Sequence, residues 1–168
     1  MPWTRGDVRI SAALLERIDE EARAAYARDE ESCGLLVGPA GDTVVDELVP
    51  MVNRANKLHA LDPETYPRTG RMYFDIDPMK FERAVHDGSA SGRPVKVLYH
   101  SHLDVGAYFS ETDAAAATMG GDAPTYPLAY LVTSIREGVV DDRKLFVWSS
   151  GARGGFVETD LVVVPSDS

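Results

Sequence analysis

His100-Ser101-His102-Leu103-Asp104-Val105-Gly106-Ala107-Tyr108-Phe109-Ser110-Glu111-Thr112-Asp113 holds two of the chain's four histidines, one residue apart. The apolar, β-branched run before it predicts a strand over 95–101. Alternate side chains of a strand share a face, so His100 and His102 project the same way, about 7 Å apart along the backbone. From there two imidazoles can converge on one ion. Ser110 follows eight residues later, then Glu111, Thr112, Asp113 and four alanines. This is a helix start with Ser110 at the N-cap, and a helix is predicted over 110–119. Asp113 falls in its first turn. The reading is a mononuclear zinc site of His100, His102 and Asp113, with the fourth position left for water. Three N/O ligands and one open position is the layout of catalytic zinc, because closed structural sites favour four protein ligands rich in cysteine.

Each part has a plainer explanation. Ser-x-x-Asp before an apolar run is also a capping box, in which Asp113 only satisfies the helix N-terminus. Histidines at strand ends are often simply solvated. The conjunction is what carries the argument, since a helix cap has no need of two histidines upstream.

His-Ser-His, a seven-residue gap and Ser-x-x-Asp together resemble the JAMM motif of the MPN-plus metallopeptidases. That family includes deubiquitinating enzymes and small prokaryotic isopeptidases and sulfur-carrier peptidases. Its upstream glutamate has a counterpart in Glu31 of Glu31-Ser32-Cys33-Gly34-Leu35-Leu36-Val37-Gly38. The resemblance runs from the first helix to the last strand. Leu103 departs from it, because many members have proline after the second histidine, which bears on loop stiffness and substrate fit more than on ligation. The resemblance implies a single α/β domain over 1–168 of MPN type, cytidine-deaminase-like, with a mixed curved sheet flanked by helices.

It also implies zinc-dependent hydrolysis of a peptide or isopeptide bond after the C-terminal tail of a ubiquitin-like or sulfur-carrier protein. Zinc would bring the pKa of its water from about 15.7 toward about 7. Glu31 becomes the general base, returning the proton to the leaving amine. By itself it is one of an acidic run with Asp29 and Glu30, which remain candidates if the register differs. Ser110 would donate to the oxyanion, a contact worth roughly 3 kcal/mol, although its plainer role is the N-cap. Ser101 faces away from the metal on a regular strand. Cys33 reads as a small buried hydrophobe. The alternative is a non-catalytic MPN scaffold acting through protein partners, but such scaffolds generally lack some of the five positions filled here. A deaminase would need a Pro-Cys-x-x-Cys pair, and Cys33 is the only cysteine. His-Glu-x-x-His is absent too.

Composition agrees with that class. A chain of 168 residues, 44% hydrophobic and 26% charged, suits one soluble domain with a sizeable core. With 27 acidic and 17 basic residues the net charge is −10, which opposes a nucleic-acid-binding surface. No apolar leader and no run of 18 apolar residues is seen, so neither export nor membrane insertion is expected. A lone cysteine fits a reducing cytoplasm.

Along the chain, Ser11 caps a predicted helix to about Arg28, with Leu14, Leu15, Ile18, Ala22 and Tyr26 as its apolar stripe and Glu16, Arg17, Asp19, Glu20 and Arg23 as a solvated face. A hairpin follows, 33–37 and 43–49 around a turn at 38–42. Residues 50–71 read as a long loop, in which Asn53 and Asn56 form turns and His59 is exposed. A strand at 72–76 precedes a helix capped by Asp77, begun by Pro78 and ended by Gly88, with Phe81, Ala84 and Val85 as its apolar stripe and His86 exposed. Residues 120–127 form a loop. Strands at 128–135, 144–149 and 156–164 are joined by turns at Asp141-Asp142 and 151–155. Trp3 and Trp148 read as packing residues. The 50–71 loop and the 103–109 loop could close over a bound tail, with Tyr108 and Phe109 as contacts or as ordinary packing.

Overall fold

The computed structural model describes residues 1–150 and 155–166. Six strands form the main sheet: β2 (Cys33–Val37), β4 (Glu47–Met51), β5 (Val95–Leu103), β6 (Ala129–Arg136), β7 (Val139–Trp148) and β8 (Phe156–Thr159). Their order is β4-β2-β5-β6-β7-β8. Only β5 and β6 run parallel; the other neighbours are antiparallel. A second sheet, all parallel, has the order β3-β1-β9, from β1 (Val8–Ser11), β3 (Val44–Val45) and β9 (Leu161–Val164). The helices are α1 (Ala12–Ala27), α2 (Ala55–Leu61), α3 (Pro78–Ala90) and α4 (Glu111–Thr118). A mixed α/β architecture with helices against the sheet is therefore what the chain adopts.

Helix α1 begins at Ser11, whose side chain accepts from the N–H of Leu14. It buries Leu14, Leu15 and Ile18 against Leu36, Val97, Tyr99, Leu131 and Leu145 on one face of the main sheet. Trp3 completes that layer, and its indole N–H donates to the Pro127 carbonyl at 2.6 Å. Gly34 is required where Tyr99 crosses β2, since a Cβ there would lie 2.3 Å from the phenol oxygen. The opposite face packs Leu35, Val37, Val95 and Tyr130 against Phe81, Ala84 and Val85 of α3 and Ala117 of α4. Helix α4 links the parallel pair β5 and β6, which brings its N-terminus to the C-terminal end of β5. Ligand sites of open α/β sheets characteristically form at this kind of strand end.

Several expectations are corrected. The strand at 43–49 is two strands: Val44 and Val45 pair with β1, and the chain crosses to the main sheet at Asp46 before pairing with β2. The strand at 156–164 likewise splits at Asp160 between the two sheets. Residues 50–71 are not all loop, because β4 reaches Met51 and α2 occupies Ala55–Leu61. The N–H of Ala55 at the start of that helix donates to Asn53 Oδ1 at 3.0 Å. Residues 72–76 form no strand. Their backbone is satisfied instead by Asn53, whose Nδ2 donates to the Tyr73 carbonyl and whose Oδ1 accepts from the Asp75 N–H. The Arg54 N–H donates to the Asp75 carbonyl as well.

Helix α3 continues past Gly88 to Ala90. The β6–β7 turn lies at Glu137-Gly138, both with positive φ (50° and 79°), the two-residue geometry that matches strand twist. Asp141 and Asp142 are thus strand residues. Asp19 is buried rather than solvated and pairs with Arg143 of β7 at 2.5 Å. His59 is half-buried against the Tyr66 carbonyl, whereas His86 is exposed as expected. Trp148 is only half-buried, and most of the expected turn at 151–155 lies outside the described residues. Among the described residues no helix is long and apolar enough to cross a membrane.

Candidate metal centre and its surroundings

Strand β5 extends to Leu103, buried at the strand end, so His100 and His102 both stand on a regular strand and share the face toward α3 and α4. Ser110 caps α4, accepting from the Asp113 N–H at 3.0 Å, while Asp113 Oδ2 accepts from the Ser110 N–H at 3.0 Å. The capping box is therefore real. It also does not exhaust Asp113: the same Oδ2 lies 3.2 Å from His100 Nε2 and 3.3 Å from His102 Nε2, and the two imidazole nitrogens are 3.1 Å apart. All three side chains are buried. Cap and cluster coexist because the box holds the carboxylate at the helix start, opposite the strand end.

The donor set fits a metal. His102 Nδ1 sits 2.9 Å from the Gly106 carbonyl, so that nitrogen carries the hydrogen and Nε2 turns its lone pair to His100 and Asp113. His102 Nε2 and the Asp113 carboxylate thus turn acceptors toward each other, an arrangement that either a hydrogen on His100 Nε2 or a bound cation relieves. The triangle's edges of 3.1, 3.2 and 3.3 Å approach the roughly 3.3 Å edge of a tetrahedron with bonds of about 2.0–2.1 Å. Burial pushes the Asp113 carboxyl up, but the two imidazoles and the Ser110 N–H outweigh it and hold the group well below the usual carboxylate range. Burial, against the pull of Asp113, lowers the His100 pKa and so favours the neutral imidazole that a ligand requires. These three residues could hold a metal ion.

Glu31, next to β2, is 5% exposed. Burial, then the Asp113 carboxylate, raises its pKa well above the usual range. Asp29 is exposed and paired with Arg71, and Glu30 pairs with Arg28, so of the acidic run only Glu31 is turned inward. Its backbone is fastened on both sides: its N–H donates to the Gly70 carbonyl and its carbonyl accepts from Asn53 Nδ2 at 3.1 Å. Ser101 faces the other way, its Oγ accepting from the Ser32 N–H at 2.8 Å. Cys33 is buried, its thiol pushed up to about 12 by burial and then by Glu31, so it stays a protonated hydrophobe.

Phe74 stacks on His100 with centroids 4.6 Å apart, and Tyr108, half exposed, meets His102 edge-on. Phe109 instead packs with Tyr130, Phe146 and Phe156. An apolar hollow of about 430 Å³ opens from His100 and Asp113 between α3 and α4, walled by Phe81, Tyr126 and Leu98. The sequence marks Asn53 only as a turn residue and gives no sign of the role of Phe74. Neither carries a local motif, and both matter through partners 20 or more residues away.

A parallel strand–helix–strand unit with a buried His-His-Asp cluster at the end of its first strand defines an α/β protein with a candidate metal centre. The chain belongs to the prokaryotic homologs of the JAB domain, whose family profile matches residues 11–148. Proteins named CysO-cysteine peptidase from Mycobacterium tuberculosis and Mycobacterium bovis are 35% identical to it over 102 residues, 58% of this chain and 60% of theirs. The match thus spans less than two thirds of those relatives. The fold is shared with a solution structure from Desulfitobacterium hafniense (TM-score 0.64, 22% identity, 95% of this chain and 94% of that one). A JAB1/MPN-domain protein from Archaeoglobus fulgidus shares it as well (TM-score 0.51, 22% identity, 94% and 99%).

Proposed function

We propose that the protein is a zinc metallopeptidase or isopeptidase that hydrolyses the bond after the C-terminal tail of a ubiquitin-like or sulfur-carrier protein, acting in the cytoplasm as one catalytic domain over 1–168. The observation that carries this reading is the convergence of His100, His102 and Asp113 in one buried triangle, with the buried Glu31 two residues before Cys33, the β2 residue paired with His100. The carrier-protein substrate is supported by the likeness to the CysO-cysteine peptidases.

His100, His102 and Asp113 would hold the zinc. When bound it supplies activation of water at neutral pH and polarisation of the scissile carbonyl. Glu31 accepts the proton of the attacking water and passes it to the departing nitrogen, so that the C–N bond breaks to a carboxylate and an amine. Its raised pKa suits a group that must both take and return a proton. Ser110 uses an oxygen lone pair in the cap, which leaves its hydroxyl hydrogen free for the oxyanion.

The outer edge of β4, next to β2, offers backbone groups to an extended tail. Tyr108 flanks His102 as an exposed contact. A tail passing through so buried a centre must be narrow, which selects small residues before the scissile bond. Carrier proteins ending in Gly-Gly and joined to cysteine, lysine or a short peptide are expected to be cleaved, and the same adducts ending in Leu-Leu to resist. Equal cleavage of both sets, or cleavage of unstructured peptides alone, rejects the carrier-tail substrate.

A further inference from the structure

Asp104 follows the ligand strand with a φ of 60°, a left-handed conformation that Gly, Asn and Asp adopt far more readily than other residues. Its carboxylate gathers three separate parts of the molecule. The Tyr26 hydroxyl of α1 donates to it at 3.0 Å, the Arg71 guanidinium at 2.8 Å, and the backbone N–H of Glu137, in the β6–β7 turn, at 2.9 Å. Its own N–H donates to the Ile135 carbonyl at 2.8 Å, and its carbonyl accepts from Arg136 at 3.3 Å. Two residues later stands Gly106, whose carbonyl receives the Nδ1–H of His102. Val105, between them, is 50% exposed and contributes little packing, so between the buried Leu103 and Ala107 this turn is held by the hydrogen bonds of Asp104.

We infer that Asp104 is the positioning residue of the metal centre, and the inference rests on the site reading proposed above. By fixing the loop at its root, the carboxylate keeps the Gly106 carbonyl on Nδ1 of His102 and so aims Nε2 at His100 and Asp113. The same carboxylate grips Arg71, whose neighbour Gly70 accepts the N–H of Glu31. One side chain thereby couples the ligand loop to the segment that carries the proposed base.

The test uses the full chain and zinc alone, with affinity measured by chelator competition and ligand geometry read from the absorption bands of bound cobalt. Asp104→Gly removes the carboxylate and tolerates the positive φ. It is expected to weaken zinc about tenfold or more, as loss of groups that orient ligands commonly does, and to alter the cobalt bands. Asp104→Asn, which keeps an acceptor and accepts the same backbone, is expected to recover most of that loss. Should Asp104→Gly fail to fold, Tyr26→Phe with Arg71→Met strips two of the three donors and is expected to weaken zinc severalfold. A merely structural role would lower thermal stability while leaving zinc affinity and the cobalt bands unchanged, and that result overturns the inference. A wild-type chain that binds no zinc removes the site reading and the inference with it.

Discussion

Replacing Glu31 by glutamine is expected to lower hydrolysis of a carrier-tail amide by about 100-fold or more while fold and metal content stay as in the wild type. General-base removal typically costs about 10² to 10⁴, and glutamine is close in shape but cannot take the water proton. The native backbone ties of this residue, to Gly70 and Asn53, do not involve the side chain, so the exchange leaves the strand entry in place. Glu30→Gln serves as the control, because Glu30 faces Arg28 and Asn56 rather than the cluster. Rates measured on a Gly-Gly adduct decide the matter. If Glu30→Gln were the inactive variant and Glu31→Gln fully active, the base would be misassigned by one residue.

Asp113→Ala and His102→Ala are each expected to lose the metal and, with it, all measurable turnover. Asp113 is the only carboxylate in the triangle, and without it the two neutral imidazoles have no negative partner for a dication. The alanine also removes half of the capping box, at a cost of about 1 kcal/mol to the start of α4. Asp113→Asn separates these effects, since its amide oxygen can still accept from the Ser110 N–H while the negative charge is gone. Elemental analysis is the measurement, and zinc fully retained in both alanine variants refutes the ligand assignment.

The centre was readable because its parts obey local rules. Period-two alternation puts His100 and His102 on one face, and the Ser-x-x-Asp cap brings Asp113 to the strand end. Ser11 and Asp77 announced their helices in the same local way. What escaped depends on partners distant in sequence. The runs at 43–49 and 156–164 look continuous in β-branched residues, yet each changes sheet midway, at Asp46 and Asp160, a choice made by the parallel neighbour β1. Asp19 sits among charges that read as solvated, and only β7, folding back from 124 positions away, reveals Arg143 as its partner. Helix α2, with seven residues, is too short to display periodicity. Residues 72–76 have strand-like composition, but the Asn53 side chain replaces the ladder a neighbouring strand would have provided.

The central claim, that this chain is a metal-dependent hydrolase of carrier tails, is tested most directly by one titration. Metal-stripped protein is supplied with zinc in sub-stoichiometric steps, and cleavage of a Gly-Gly carrier adduct is followed at each step. Activity absent at the start, rising in proportion to added zinc and levelling at about one equivalent per chain, is the predicted result for a single His100–His102–Asp113 centre. Full activity in the stripped protein, or none at any zinc level, would contradict it.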